Sequence, residues 1–343
     1  MSLTWLVTQR ITLRASAAMG VFVVMLLATP IYGHSLNAKN TNVHHKETSV
    51  AQLEVRTTEV TSQYNAPNLT VRAANGTTYA YRRFGKTKTI PLLFLQHFRG
   101  NLDNWDPALV DDIAAEREVI LVDYSGVGLS NGTTPRTVYG LARDALTFVD
   151  ALGLKEIDLF GFSLGGFVAQ EVVLLRPRLV RRLILAGTGP EGGRDMHRWN
   201  EEISEHAYKD VQGSDDAFYL FFAPTETSQA KAREFIGRIF TRKQDRDNVP
   251  VLAVRDAQAE AITTWGIPEM SKLARLAAIT QPTLVANGNH DIMVPTVNSY
   301  LLAGHIPSAE LIIYPDANHG FLFQYPHEFA AEVNRFLMAA DKK

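Results

Sequence analysis

The sequence predicts an α/β fold in which a mostly parallel sheet is covered by helices on both faces. Short, nearly continuous apolar runs alternate along the chain with longer segments whose apolar residues recur at helical spacing. A strand buried on both faces has such a continuous run, and its alternation with helices is typical of βαβ units. The 343 residues, of which 46% are hydrophobic and 20% charged, suffice for a sizeable core.

Eight segments of the chain are predicted strands. The first two, 69–73 and 77–84, flank Asn75-Gly76, a dipeptide that is typical of hairpin turns. The other six are the apolar runs at 90–96, 118–122, 157–160, 183–186, 283–286 and 311–314. We therefore expect a single eight-stranded sheet that is mostly parallel.

Helical periodicity predicts four helices between or after these strands, at 103–116, 137–152, 165–176 and 326–340. The alternation is interrupted at 190–276, a charge-rich segment with clustered aromatic residues and no convincing buried strand. This segment predicts a mostly helical cap at the carboxyl ends of the strands, where open α/β sheets bind their ligands. The predicted core accordingly comprises residues 66–189 and 277–343.

The N-terminal segment has the features of an export signal. Arg10 and Arg14 precede an uncharged, largely apolar stretch, which is the arrangement of a signal peptide. Residues 1–33 are therefore a predicted signal peptide or, if retained, a membrane anchor, and the polar residues 34–65 are a predicted flexible linker. We expect a periplasmic or secreted protein, with this segment as the one candidate for membrane contact. Translation from a downstream start codon would instead leave the protein in the cytoplasm.

The composition excludes several classes of function. The chain has no cysteine, which excludes disulfides, thiolate nucleophiles and cysteine-ligated metals. The net charge of −2, without a basic run longer than two residues, argues against a nucleic-acid partner. His44-His45 lies in the predicted linker, where we expect a solvated pair and not a metal site. The oligomeric state is not predicted.

The segment Gly161-Phe162-Ser163-Leu164-Gly165 lies between a predicted strand and a predicted helix. This G-x-S-x-G pattern predicts a sharp turn that raises the Ser163 hydroxyl above the sheet, with glycines where side chains would collide with neighbouring elements. Ser163 is therefore the predicted nucleophile. The backbone N–H of Leu164, at the start of the helix, would face an oxyanion formed by attack of Ser163.

A serine hydroxyl needs a base, and the base needs an orienting carboxylate. His319 follows the last predicted strand, and Asp291 follows the strand at 283–286. The carboxyl ends of parallel strands meet at one edge of the sheet, so we predict that His319 is the base and that Asp291 orients it. The alternatives to Asp291 are carboxylates at other strand ends or beside His319: Asp316, Asp123 and Glu191.

The loop after the strand at 90–96 is the expected source of the second oxyanion donor, the N–H of Phe98. Arg99 beside it would attract a carboxylate on the substrate, or else would be a solvated loop residue. The aromatic residues of the predicted cap would line an apolar pocket, or would form the core of the cap. The predicted substrate-binding residues are Arg99, Phe162, Trp199, Phe221 and Trp265.

Five pieces of sequence, in order, resemble the α/β-hydrolase superfamily over about residues 68–340: QHFRGNLDNWDP, DYSGVGLS, GFSLGG, NGNHDIMVP and DANHGF. The chain departs from the family pattern at His97-Phe98, where His-Gly is usual, so that a bulky residue would narrow the acyl pocket. Ser163 argues against relatives with an aspartate nucleophile, such as haloalkane dehalogenases and epoxide hydrolases.

The resemblance is to the branch of serine esterases and cofactor-free haloperoxidases, and it implies a Ser-His-Asp triad that needs neither metal nor organic cofactor. The expected activity is hydrolysis of a small or medium, largely apolar carboxylic ester or lactone through an acyl-enzyme. The same triad serves perhydrolases, haloperoxidases and C–C bond hydrolases, which remain alternatives. A ligand receptor on a hydrolase scaffold is an alternative from another class.

Overall fold

A computed structural model describes residues 62–339. The predicted signal peptide or anchor at 1–33 and nearly all of the predicted linker at 34–65 lie outside these residues. Within 62–339, no helix combines the length and the hydropathy that a membrane crossing requires.

One sheet of eight strands forms the centre of the fold. The strands are β1 (Leu69–Arg72), β2 (Thr78–Gly85), β3 (Leu92–Leu95), β4 (Glu118–Val122), β5 (Ile157–Phe162), β6 (Val180–Ala186), β7 (Thr283–Gly288) and β8 (Ala309–Tyr314). Their spatial order is β1-β2-β4-β3-β5-β6-β7-β8. β2 is antiparallel to both of its neighbours, and all pairs from β4 to β8 are parallel. The predicted eight-stranded, mostly parallel sheet is thus confirmed.

The helices are α1 (Pro107–Ala114), α2 (Val138–Ala151), α3 (Leu164–Leu175), α4 (Glu201–Ala207), α5 (Ser214–Phe221), α6 (Glu226–Ile239), α7 (Leu252–Gly266), α8 (Val297–His305), α9 (Phe321–Gln324) and α10 (Pro326–Met338). α2 packs against α3, and α1 packs against α10. The two pairs belong to separate apolar clusters, which accounts for strands such as β3 and β4 being buried along their whole length.

The helices of the core differ from the sequence expectation at 103–116, at α8 and at the short α9. The predicted helix at 103–116 is divided into a 3₁₀ turn at Leu102–Asn104 and α1. The division occurs because Asp106 caps Ala108 N–H and Pro107, which has no N–H to donate to a preceding turn, occupies the first helical position. α8 was not predicted, because its sequence VNSYLLAGH has weak amphipathic spacing.

The order in which successive strands are added to the sheet reverses at β3, which lies between β4 and β5 and is parallel to both. The connection through α1 places β4 on one side of β3, and the connection through α2 returns to β5 on the other side. Such a switch point opens a crevice at the carboxyl ends of the strands. The segments that leave β3 and β5 therefore border the same crevice, and Ser163 follows β5 directly.

Four helices, α4 to α7, and a 3₁₀ segment at Met270–Ala278 lie between β6 and β7. We call residues 190–276 the helical insertion. Arg238 of α6 joins the insertion to the core through two hydrogen bonds to the buried carboxylate of Asp106, at 2.8 and 2.7 Å.

A pair of carboxyl groups also joins the insertion to the core. The N–H of Leu102 donates to Asp123 Oδ1 at 3.1 Å and to Asp247 Oδ2 at 3.2 Å. Burial raises the pKa of Asp123 well above its usual value, and the neighbouring Asp247 carboxylate raises it further. Asp123 therefore keeps its proton at pH values where an exposed aspartate has lost it.

This pair predicts a pH dependence of stability. In the unfolded chain Asp123 loses its proton at about pH 4, whereas the folded protein holds this proton to higher pH. The free energy of unfolding should therefore fall as the pH rises from about 4 through the raised pKa of the folded protein. Asp123→Asn, a neutral isostere that can donate to Asp247, should remove this part of the dependence. Urea unfolding of both proteins at about pH 5 and about pH 8 measures the difference, and identical pH dependences would contradict the assignment.

Candidate active site

Ser163 occupies a strained junction between β5 and α3. Its φ of 56° and ψ of −120° are unfavourable for a residue with a Cβ and are retained only where the surroundings enforce them. The close contact between α3 and β3 provides that constraint. At Gly165 the two elements lie so near each other that a Cβ would overlap the carbonyl oxygen of Leu95 in β3. A Cβ on Gly161 would overlap the backbone of Gly165. The glycines thus let α3 start directly against the sheet, with Ser163 at its tip.

Ser163, His319 and Asp291 form a continuous hydrogen-bonded chain. The Ser163 hydroxyl lies 2.8 Å from His319 Nε2, and His319 Nδ1 lies 2.8 Å from Asp291 Oδ2. His319 comes from the loop between β8 and α9, and Asp291 from the loop between β7 and α8. His319 is 1% exposed. With Asp291 ionised, the consistent assignment has Nδ1–H donating to the carboxylate and Nε2 accepting from the serine.

The loop that carries Asp291 holds its carboxylate in a fixed orientation. Asp291 Oδ1 accepts hydrogen bonds from the N–H groups of Met293 and Val294, both at 2.9 Å. These bonds leave Oδ2 directed at His319.

The three alternative carboxylates are engaged elsewhere. Asp316 accepts a hydrogen bond from the Thr225 hydroxyl at 3.0 Å. Glu191 pairs with Lys272 and Arg275. Asp123 accepts from Leu102 beside Asp247, as described above. Asp291 is the one of the four candidates that contacts His319 within the residues described.

Asn318 was missed by the sequence analysis, although it connects the two loops. Its Oδ1 accepts hydrogen bonds from the N–H groups of Ile292 at 2.8 Å and His319 at 2.9 Å. One side chain therefore fixes the distance between the residue after Asp291 and His319. The available signal was an asparagine directly before the predicted base, a residue type that often bonds to nearby backbone in loops.

The two backbone N–H groups that the sequence predicts as oxyanion donors belong to the segments that follow β5 and β3. Leu164 is the first residue of α3, where N–H groups have no carbonyl partner within the helix. Phe98 lies in a β-turn in which Gly100 N–H donates to the His97 carbonyl at 3.0 Å. His97 Nδ1–H donates to the Phe98 carbonyl at 2.8 Å. Burial lowers the pKa of His97 to about 4, so this ring is neutral near pH 7.

A cavity of about 290 Å³ contains the Ser163 and His319 side chains. His97, Phe98 and Arg99 line it from the loop after β3. The opposite wall is mostly apolar and comes largely from α5 and α6: Ala217, Leu220, Phe221, Phe235, Ile236 and Ile239, with Phe240 just beyond α6. The α6 residues were not predicted; their signal was the apolar spacing of Phe235, Ile236, Ile239 and Phe240 on an otherwise charged helix.

Two of the predicted substrate-binding residues line this cavity. The ring of Phe221 stacks on that of His319, with centroids 5.7 Å apart and an interplanar angle of 12°. Arg99 is 8% exposed, so the alternative of a solvated loop arginine was wrong. Its guanidinium donates to the carbonyl oxygens of Ala207, Lys209 and Asp210, and is thereby engaged by protein.

The other three predicted substrate-binding residues are not among the residues that line the cavity, and their assignment is corrected. Phe162 lies beneath His319, with ring centroids 5.1 Å apart. Trp265 stacks on Phe167 at 5.6 Å, within the packing between α7 and α3. Trp199 contacts the Phe98 ring at 5.8 Å and donates to the Met293 carbonyl. Each of the three packs against a residue that lines the cavity or belongs to α3. In residues 62–339, no group of three or more histidine and acidic residues is arranged to hold a metal ion.

The close approach of α3 to β3 predicts the effect of adding one methyl group. Gly165→Ala should lower the free energy of unfolding by roughly 2–4 kcal/mol, because the Leu95 carbonyl cannot move without disturbing β3. The matched control is Gly237→Ala in α6, where nothing lies within 4 Å of the added Cβ and stability should rise by about 0.5–1 kcal/mol. Chemical denaturation measures both changes, and equal effects of the two substitutions would contradict the argument.

Comparison with known proteins agrees with this architecture. A protein from Chitinophaga pinensis described as an alpha/beta hydrolase fold protein has a structure that superposes with a TM-score of 0.77, at 37% identity, and covers 81% of this chain and 99% of its own. The poly(3-hydroxyalkanoate) depolymerase of Ectopseudomonas oleovorans is 29% identical over 270 residues, which are 74% of this chain and 87% of that protein. A Rhizobium rhizogenes protein provisionally named carbamate hydrolase RutD is 27% identical over 253 residues, 70% of this chain and 89% of its own.

The family model described as alpha/beta hydrolase fold matches residues 90–326. The match includes β3, the loop that follows it, the strained serine, both loops that carry Asp291 and His319, and the helical insertion. The chain therefore belongs to the alpha/beta hydrolase fold family, and it is a hydrolase of that fold.

Proposed function

We propose that the protein is a serine hydrolase that cleaves a small or medium, largely apolar carboxylic ester or lactone through an acyl-enzyme. The observation that carries the proposal is the hydrogen-bonded chain from Asp291 through His319 to Ser163 inside a mostly apolar cavity. A serine hydroxyl is a weak nucleophile alone, and a hydrogen bond to an imidazole nitrogen, here 2.8 Å from Ser163 Oγ to His319 Nε2, is the arrangement that activates it.

The first half of the reaction forms the acyl-enzyme. Ser163 Oγ bonds to the carbonyl carbon of the ester while His319 Nε2 takes the hydroxyl proton, and the carbonyl oxygen becomes an oxyanion. Asp291 stabilises the resulting imidazolium through Nδ1–H. The imidazolium then gives its proton to the departing alkoxide as the bond from the acyl carbon to that oxygen breaks, and the alcohol leaves.

The second half repeats these steps with water. His319 takes a proton from a water molecule whose oxygen bonds to the acyl carbon, and the tetrahedral oxyanion forms again. The bond to Ser163 Oγ breaks, the serine regains its proton from His319, and the carboxylic acid is released. In both halves the N–H groups of Leu164 and Phe98 donate to the oxyanion, which is the contribution that usually lowers the barrier most. Every proton transferred in these reaction steps is held by the triad, the substrate or water.

The cavity supports the substrate class. Its volume of about 290 Å³ lies at the low end of the range for small-molecule sites. The apolar wall from α5 and α6 suits an alkyl or aryl group, and in this proposal the helical insertion is a cap that covers it. A carbamate carbonyl would undergo the same attack, so the name of the Rhizobium rhizogenes relative and that of the depolymerase relative are both compatible with the triad.

Removal of the nucleophile tests the function directly. Ser163→Ala should lower kcat for p-nitrophenyl butyrate and for a γ-lactone by at least about a thousandfold, since the proposed acyl-enzyme cannot form without the Ser163 hydroxyl. The matched control is Ser299→Ala, which removes a fully buried serine hydroxyl in α8 and should leave kcat unchanged. Retention of wild-type turnover by Ser163→Ala would refute the proposal.

The apolar wall predicts a limit on the length of the substrate. Ala217 of α5 lines the cavity, so Ala217→Phe should fill part of it and lower kcat/KM for hexanoate esters by about tenfold or more, while acetate esters change by about threefold or less. Ala217→Ser, which adds little volume, should keep the wild-type profile. Steady-state kinetics on p-nitrophenyl esters from acetate to octanoate give the profile, and a uniform loss at all lengths would argue against this wall as the acyl pocket.

A further inference from the structure

The exposed residues among those that line the catalytic cavity mark its mouth. They are residues 212–214, which end at the start of α5, and Phe240 just beyond α6. The other lining residues are buried or half-buried, and Ser163 and His319 are among the buried ones. From the mouth, α5 runs to Phe221, whose ring stacks on His319, a length of about 10 Å at the ordinary rise of a helix. The mouth is therefore separated from the triad by about the length of α5.

Apolar side chains protrude into solvent in the segments around this mouth. Val211, directly before the mouth residues, is 84% exposed, and Val249 and Val251 are 80% and 62% exposed. Phe240 and Leu252 are 48% and 40% exposed. We call these five residues the apolar rim. All five lie in loops or at helix ends of the insertion, and none of them belongs to either apolar cluster of the protein.

The segment that carries three of the rim residues leaves from beside a fourth. The Arg246 guanidinium lies over the Phe240 ring, 4.9 Å from its centroid. Arg246 also donates to the carbonyl of Ile239, the residue before Phe240, at 2.9 Å. Val249 follows three residues after Arg246, so this side of the rim begins at the mouth.

The start of α7 is bonded to the loop that carries Val211. Arg255, in the first turn of α7, donates to the Tyr208 carbonyl and to the Asp210 carboxylate, both at 2.8 Å. Leu252 is the first residue of α7, and Val211 directly follows Asp210. The two segments that carry the rim are therefore held beside each other at the mouth.

The charges that border the rim are neutralised within the protein. Arg246 pairs with Asp103 at 3.4 Å, and Arg255 pairs with Asp210 and Asp256, both at 2.8 Å. Anionic lipid headgroups bind clusters of basic residues, whereas exposed apolar side chains in a group indicate contact with another apolar surface. The rim thus suits an uncharged apolar phase, and it surrounds the opening of a cavity that, in the proposed function, holds an ester.

We propose that the apolar rim docks the enzyme on droplets of a water-insoluble ester, so that substrate passes from the droplet through the mouth to Ser163. The inference rests on the proposed serine-hydrolase function, and it adds the physical form in which the substrate is met. Docking removes the rim side chains from water into the ester phase, which is favourable for apolar surface. Changes in the rim should therefore alter the rate on droplets and not the rate on dissolved ester.

The test measures the initial rate on tributyrin below and above the concentration at which it forms droplets. The triple variant Val211→Ser/Val249→Ser/Val251→Ser removes three rim side chains that do not line the cavity. The matched control variant changes three other exposed apolar side chains, outside the rim: Ile267→Ser, Tyr300→Ser and Met338→Ser. For each protein, kcat/KM for dissolved p-nitrophenyl butyrate and the melting temperature are measured as well.

We expect the wild-type rate on tributyrin to rise about fivefold or more above the saturation curve of the dissolved ester once droplets form, because docking brings the mouth to the substrate. The rim variant should stay within about twofold of that curve, and the control variant should keep the wild-type rise. All three proteins should have the same kcat/KM for dissolved p-nitrophenyl butyrate within about twofold, because the cavity is unchanged.

An unchanged rise in the rim variant would overturn the inference, as would a wild-type rate that follows the saturation curve through droplet formation. The other occupants of such a surface are a lipid bilayer and a second copy of the chain. Rim-dependent sedimentation with phosphatidylcholine vesicles, or a dimer that the rim variant loses, would assign the rim to one of these and overturn the inference if droplets give no rise.

Ser163→Ala is assayed alongside on both substrates. If turnover of dissolved p-nitrophenyl butyrate depends on Ser163 and droplets give no rim-dependent rise, this inference alone fails. If turnover does not depend on Ser163, the proposed function fails and the inference fails with it.

Discussion

The close packing of α3 against β3 is the constraint on which the site depends. Only a residue without a side chain can occupy position 165, because the Leu95 carbonyl of β3 lies where a Cβ would be. This contact brings the start of α3 beside the loop that leaves β3. Ser163 and Leu164 on one element and Phe98 on the other therefore face one crevice. The positive φ of Ser163 is the local cost of that arrangement.

The helical insertion is joined to the core by charged and polar contacts at several places. Arg238 bonds to the buried Asp106, Asp247 lies beside the buried Asp123, and Arg99 donates to carbonyl groups at the end of α4. These groups are costly to bury unless they are paired, so each contact specifies one orientation of the insertion. The insertion supplies the apolar wall of the cavity, and Arg99 bonds the loop after β3 to that insertion, so the wall and the loop are fixed relative to each other.

The sequence was sufficient to predict the sheet, because its apolar runs mark the strands. It was also sufficient to predict that three polar side chains lie together, because each of them follows a strand. A residue after a parallel strand must lie at the carboxyl edge, so Ser163, Asp291 and His319 could be brought together from their order alone. Tertiary packing decides which way a side chain of the insertion points, and the local sequence pattern does not predict that direction. Trp265, which was expected to bind substrate, therefore packs on Phe167 of α3, and the cavity residue Phe235 was not predicted. Arg99 was recognised as notable, but its partners lie more than 100 positions along the chain.

In the proposed reaction, Ser163 forms a covalent bond to the acyl group during turnover. Rapid acid quenching of the enzyme with p-nitrophenyl butyrate, followed by digestion and mass spectrometry, measures this directly. We expect the peptide containing Ser163 to carry one butyryl group, attached to that serine, and the adduct to decay as substrate is consumed. Sustained turnover with no adduct, or with the butyryl group on another residue, would contradict it.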